Sequence, residues 1–388
     1  MRYACALVLF LLTLSFLPAL QAQSLEELGT GRFVVRELLD IGEAGRGVLT
    51  VAWSADGKFL LFDKKQGTPY HALYSYELAA EKLSRLLPGS GLADGMQANS
   101  ASPHMSKDGR LTLFSAQLRR SATYSRGGPG YGLHNEIWLL DNASQKTFRL
   151  AEVAASMSNP RGSLYPYFSA DGKRLLWTAV LGQARSGSVL GRRDVFVADL
   201  DWREQQPRLT KIVELEIGKQ SDFCECYGFT PDGSQILLAA NLEERQPWYG
   251  ADLYMYGLQD KKLLRLTETP GLLDRFAALS PKGEKIVWSS SMGLTQPNLG
   301  AGGRLWEKYL SSELWLMNKD GSEKRRLTSF NQRASEHFTG QRSVVGMSAW
   351  HPEGEKIALV LLKEARNYEL ESSVIILELA DAYANQPR

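Results

Sequence analysis

Trp53-Ser54-Ala55-Asp56-Gly57-Lys58-Phe59-Leu60-Leu61-Phe62 joins a tight turn to an apolar strand, and the chain repeats this form. Gly takes positive φ cheaply and Asp bonds its own backbone two residues on, so Asp-Gly supplies the turn. Further copies are Met105-Ser106-Lys107-Asp108-Gly109, Phe168-Ser169-Ala170-Asp171-Gly172 and Phe229-Thr230-Pro231-Asp232-Gly233. Leu279-Ser280-Pro281-Lys282-Gly283 and Trp350-His351-Pro352-Glu353-Gly354 complete the set. A period of roughly fifty to seventy residues in an all-strand pattern marks a radial array of sheets. Six copies predict an all-β, six-bladed β-propeller.

Each Gly precedes a strand-like run, such as Leu111–Phe114 or Ile236–Leu238, and a second run follows, such as Ile137–Leu140 or Leu253–Tyr256. Five units close with a short strand such as Arg265-Leu266-Thr267. This gives four strands per blade, A to D from the axis outward. The blades are predicted at about 45–90, 95–152, 160–212, 221–268, 271–330 and 342–380. The sixth lacks its outermost strand, and the segment 32–39 (RFVVRELL) has no blade of its own. It is predicted to pair onto the last blade and close the ring, removing an exposed sheet edge.

Bulk properties exclude several classes. The 388 residues carry 44% hydrophobic and 10% aromatic residues and a formal net charge of +2. Nothing in that balance points to nucleic acid or to an anionic membrane surface. Arg2 precedes an apolar core from Ala4 to Leu20 that ends at Leu20-Gln21-Ala22, so residues 1–22 read as a secretory signal. Residues 23–388 then form a single propeller domain, exported to an oxidising compartment. No later stretch has the ~18 continuous apolar residues of a membrane span. No cofactor is implied.

The W-S-x-D-G-K-x-L-x-F units, with their D-L-Y and R-L-T echoes at Asp252-Leu253-Tyr254 and Arg265-Leu266-Thr267, resemble the repeats of TolB-type propellers of Gram-negative periplasms. The resemblance spans about residues 45–380. It implies a periplasmic location and a role in holding an envelope protein or peptide. Only a short stretch separates the signal from the first blade, so the likeness is to a propeller without the α/β domain that precedes it in TolB. Prolyl-oligopeptidase-like enzymes carry similar repeats, but their Gly-x-Ser-x-Gly nucleophile elbow is missing here.

Function on repeat folds is grafted onto loops. The B–C loops carry Arg119, Arg126 and Tyr131 in blade two, Trp248 and Tyr249 in blade four, and Arg304 and Trp306 in blade five. Arg, Trp and Tyr are the types that form binding hot spots. On the innermost strands, His104, Tyr165, Tyr167, Tyr227 and Arg275 are candidates to line the channel. The pair Cys224 and Cys226 leaves three readings open: a Cys-x-Cys disulfide, ligands for a soft metal together with His104, or two small packed residues. The five histidines show no metal-site spacing, and His351 occupies the turn's Ser position. Asp56, Asp108, Asp171 and Asp232 each belong to an A–B turn.

These features favour a non-enzymatic binding or scaffold protein acting through its B–C loop face and channel mouth. The alternative is an enzyme on polysaccharide or peptide with its site at the channel mouth. Oligogalacturonate lyases share related repeats and bind a metal through clustered histidines, a cluster the spacing here does not reproduce. A metal or redox role at Cys224 and Cys226 is a third reading.

Overall fold

The computed structural model describes residues 33–65, 70–87, 97–118, 130–153, 159–185, 188, 190–217, 222–269, 271–294, 310–365 and 370–381. The first strand, β1 (Phe33–Asp40), leads through a short 3-10 turn (Gly42–Gly45) into blade one: β2 (Val51–Trp53), β3 (Phe59–Lys65), β4 (His71–Glu77) and β5 (Lys82–Arg85). Blade two is β6 (Gln97–Met105), β7 (Leu111–Leu118), β8 (Glu136–Asp141) and β9 (Lys146–Ala151). Blade three is β10 (Gly162–Phe168), β11 (Arg174–Val180), β12 (Arg193–Arg203) and β13 (Gln206–Glu214). Blade four is β14 (Cys224–Phe229), β15 (Gln235–Ala240), β16 (Asp252–Gly257) and β17 (Leu263–Arg265). Blade five is β18 (Asp274–Leu279), β19 (Lys285–Ser290), β20 (Glu313–Asn318) and β21 (Arg325–Arg326). Blade six takes β22 (Ser343–Trp350), β23 (Lys356–Glu364) and β24 (Leu370–Asp381) from the end of the chain and β1 from its start, in the order β1-β24-β23-β22. The ladder runs antiparallel from Phe33↔Asp381 to Asp40↔Ile375, so the ring closes as the sequence predicts.

Side chains alternate across each strand, and both faces of a blade are covered by neighbours. Each junction has its own apolar cluster. Leu73 and Leu87 meet Phe114 and Trp138 between blades one and two. Leu113 and Leu139 meet Leu175 and Trp177 between two and three, while the intervening Leu176 turns the other way to meet Ile236 and Leu238 of blade four. Trp288 anchors the junction of four and five, Leu359 and Ile375 that of five and six, and Trp53, Phe62 and Val360 that of six and one.

The repeated turn is built from its own residues. Ser54 Oγ donates to Asp56 Oδ1 (2.6 Å), while the Lys58 N–H donates to the same carboxylate oxygen (3.1 Å). The Phe59 N–H donates to Ser54 Oγ (3.0 Å), and Gly57 takes φ +71°. Ser106–Asp108, Ser169–Asp171 and Thr230–Asp232 repeat the arrangement. The four aspartates are thus turn builders. In blade six His351 replaces the Ser: its Nδ1 accepts from the Glu353 N–H (3.2 Å), and its ring meets Trp53 edge-on at 4.7 Å across the ring seam.

Deleting residues 33–40 should uncover the edge of β24 and lower the melting temperature by at least about 5 °C. Calorimetry together with light scattering for aggregation checks this; an unchanged transition would mean that β1 does not hold the ring.

Candidate functional site

The innermost strands do more than line the axis. In β6, β10, β14, β18 and β22 the pairing slips, between Ala101/His104, Leu164/Tyr167, Cys226/Phe229, Arg275/Ala278 and Val345/Ser348. Bulges of this kind re-aim side chains. Ser102, Tyr165 and Phe276 sit in left-handed backbone at φ +55°, +54° and +54°, a conformation that costs a non-Gly residue about 1–3 kcal/mol.

The strands enclose a cavity of about 480 Å³. Its wall runs from Tyr165, Tyr227 and Met347 at the inner end past His104 and Tyr167 to Lys107, Ala170 and the other A–B turns. It therefore opens on the turn face, opposite the B–C loops. At the inner end, Tyr165 of blade three and Met347 of blade six share an apolar cluster with Leu164 and Val180. Those two blades stand opposite one another in a six-membered ring, so the cluster crosses the axis.

One layer closer to the strand starts lies a buried ionic group. Arg275 grips Glu225 with Nη2 (2.9 and 2.7 Å to the two oxygens) and Nε (3.2 Å). Arg193 Nη1 donates to Glu225 Oε1, and the Tyr227 hydroxyl donates to Oε2 (3.1 Å). Glu225 and Arg193 are 0% exposed and Arg275 3%. Arg193 also donates to the carbonyls of Leu190 (3.3 Å), Gly130 (2.7 Å) and Tyr131 (3.2 Å), tying the B–C loop of blade two to the layer. Phe223 lies under both guanidinium groups, 4.7 Å from that of Arg275 and 6.0 Å from that of Arg193. In blade one, buried Asp63 accepts from Thr50 N (2.6 Å) and bonds His71 Nδ1 at 2.6 Å.

No protein-family model and no curated protein matches this sequence. Among solved structures, the putative TolB from Agrobacterium tumefaciens aligns over 90% of this chain and 99% of its own, at 17% identity and a TM-score of 0.52. The chain has a TolB-like propeller fold. TolB from Acinetobacter baumannii aligns over 87% of this chain at 15% identity and a TM-score of 0.47, and this chain spans 65% of its length. The oligogalacturonate lyase from Vibrio parahaemolyticus aligns over 90% and 96% of the two chains, at 10% identity and a TM-score of 0.49. The likeness at this identity concerns the fold alone.

The TolB-like propeller brings some of the sequence candidates together and scatters others. His104, Tyr165, Tyr167 and Tyr227 share the cavity wall. Arg275 belongs to the ionic layer. Trp248 is 4% exposed and packs with Tyr227, Leu253 and Trp288, so it contributes to the core of the junction between blades four and five. Tyr249 meets it edge-on at 5.7 Å, and Tyr131 packs against the same cluster. Arg119, Arg126, Arg304 and Trp306 lie outside the described residues. Cys224 and Cys226 are free thiols, 0% exposed, and face the junction of blades three and four beside Leu176 and Val195. Burial pushes the Cys226 thiol up to about 12 and that of Cys224 well above its usual value. Among the described residues no three His, Cys, Asp or Glu side chains converge as metal ligands, and no helix is long and apolar enough to cross a membrane. Glu225 and Arg193, the centre of the ionic layer, are not among the sequence candidates.

Replacing Glu225 by Gln leaves two buried guanidinium groups without their anion and should cost about 3–5 kcal/mol, measured by urea unfolding. A loss under about 1 kcal/mol would show that the carboxylate does not hold the layer.

Two buried groups set opposing pH terms. Burial pushes His104 from 6.5 down to about 4, and burial raises Asp274 from 3.8 to about 6 against hydrogen bonds from its neighbours. Between those two values for His104 the unfolded state binds more protons, so its contribution is complete above pH 6.5 and lost as pH falls through 4. For Asp274 the folded state binds more, so its contribution is complete below pH 3.8 and lost as pH rises through 6. His104→Gln should therefore gain stability relative to wild type as pH falls from 6.5 toward 4, and Asp274→Asn should lose it. Melting temperatures across that range give the two signs; parallel curves for all three proteins would refute both assignments.

Proposed function

We propose that this chain is an exported, non-enzymatic binding protein that takes a segment of an envelope protein or peptide into the funnel on its turn face. The observation that carries this reading is the funnel wall, which holds aromatic rings, hydroxyls and a neutral imidazole but, among the described residues, no carboxylate. A volume of about 480 Å³ suits a bound group of modest size. The apolar pattern of residues 1–22 supports export. Glycoside hydrolysis ordinarily uses two carboxylates flanking the scissile bond, and the described residues of this wall supply neither. The ligand enters at the end opposite the B–C loops, which the loop composition alone would have favoured.

Photocrosslinkers placed at Lys107, on the funnel rim, and at Glu244, on the exposed B–C loop of blade four, test the reading in the periplasm. A defined partner should attach at Lys107 and be lost in an Ala55→Trp/Ala170→Trp double variant that crowds the rim. Attachment at Glu244 alone, abolished by alanines at Arg119, Arg126 and Trp306, would move the site to the loop face.

A further inference from the structure

Most polar groups along the funnel are already engaged. Ser54, Ser106, Ser169 and Thr230 donate to the aspartates of their own turns. The indoles of Trp53 and Trp350 donate to carbonyls of neighbouring blades, Ala349 and Ala278, at 3.1 Å each. The Tyr227 hydroxyl donates to Glu225. At mid-depth, His104 and Tyr167 stand side by side on the wall, edge to face with ring centroids 5.1 Å apart. Neither His104 Nε2 nor the Tyr167 hydroxyl has a hydrogen-bond partner among the described residues.

The protonation of His104 is fixed by geometry. The Phe168 backbone N–H points at His104 Nδ1 from 3.2 Å. A backbone N–H can only donate, so Nδ1 carries the lone pair and the ring proton sits on Nε2. Adding a second proton would set an Nδ1–H against the Phe168 N–H and place a cation among apolar groups. The imidazole is therefore a neutral donor, and its Nε2–H is the end left for a ligand.

We propose that His104 Nε2–H and the Tyr167 hydroxyl anchor the ligand, and that they take an uncharged acceptor, a main-chain carbonyl of an extended peptide segment. This rests on the funnel being the binding site. A carboxylate entering to this depth would meet no cation among the described wall residues, since Lys107 lies at the exposed rim. An ammonium would meet no carboxylate among them either. Burying either charge unpaired costs more than burying an amide that gains a hydrogen bond. The neutral pair also makes binding insensitive to acid until His104 is forced to protonate.

The test uses capped hexapeptide pools, N-acetylated and C-amidated, in uncharged, acidic and basic versions, with the full mature protein and tryptophan fluorescence as readout. The uncharged pool should bind at least tenfold more tightly than the other two. Tyr167→Phe, which keeps the ring, should lower that affinity about tenfold, the loss of one hydrogen bond. Nitrogen-15 imidazole spectra should show His104 as the Nε2–H form, unchanged from pH 8 to 5, with its Nε2 signal moving when the uncharged pool is added. An Nδ1–H form, titration near neutral pH, preference for a charged pool, or full affinity in Tyr167→Phe would each overturn the inference. If the uncharged pool binds and the Ala55→Trp/Ala170→Trp variant abolishes it while Tyr167→Phe does not, the funnel stands and only the anchor fails. If crowding the rim changes nothing, or if no pool binds, the funnel reading falls with it.

Discussion

A carboxylate buried without its water costs several kcal/mol unless protein groups replace that hydration. At Glu225 the replacements come from three blades, with Tyr227 of its own blade four among them. Arg275 arrives from blade five, Arg193 from blade three, and Arg193 in turn holds the Gly130 and Tyr131 carbonyls of blade two. The group therefore fixes how the blades meet around one end of the axis. Just below it, Tyr165 and Met347 cross the axis, and the space that remains faces the turns. The position of the funnel follows from where that charge is buried.

Much of this architecture is legible in the chain. The turn motif works through its own Ser, Asp and Gly, so each copy announces itself wherever it occurs. The closing strand is legible because one apolar segment is left over and one blade lacks a strand. The ionic layer is harder to see, because its members are far apart in sequence and each looks ordinary alone. Arg193 ends the long B–C loop of blade three, where its residue type suits a binding face, yet it is 0% exposed. Glu225 had a usable signal: it alternates with Cys224 and Cys226, so thiols packed between blades force the carboxylate toward the axis. Trp248 has the composition of a binding loop, but a large ring close to an apolar junction gains more by burial there.

His104 shows how a shared strand position acquires different chemistry from its neighbours. Placed on an innermost strand, it could have been a packed ring or a metal ligand. The bulge between Ala101 and His104 aims the ring along the wall, and the next blade presents a backbone N–H to one of its nitrogens. That single contact chooses the tautomer and leaves a neutral donor. No local pattern in the sequence encodes it, since it depends on the register of two blades.

The pairing of β1 with β24 has a consequence for the order of events in folding. Blades one to five each form from one continuous stretch of chain, and each can assemble on its neighbour as it is made. Blade six cannot, because its outer strand is the first described segment and its other three are the last. Contacts so distant in sequence form late and slowly. Until then β1 is an unpaired strand beside an incomplete ring, able to pair with β24 of another molecule. The same ladder that seals one ring can thus link two by strand exchange when chains are crowded.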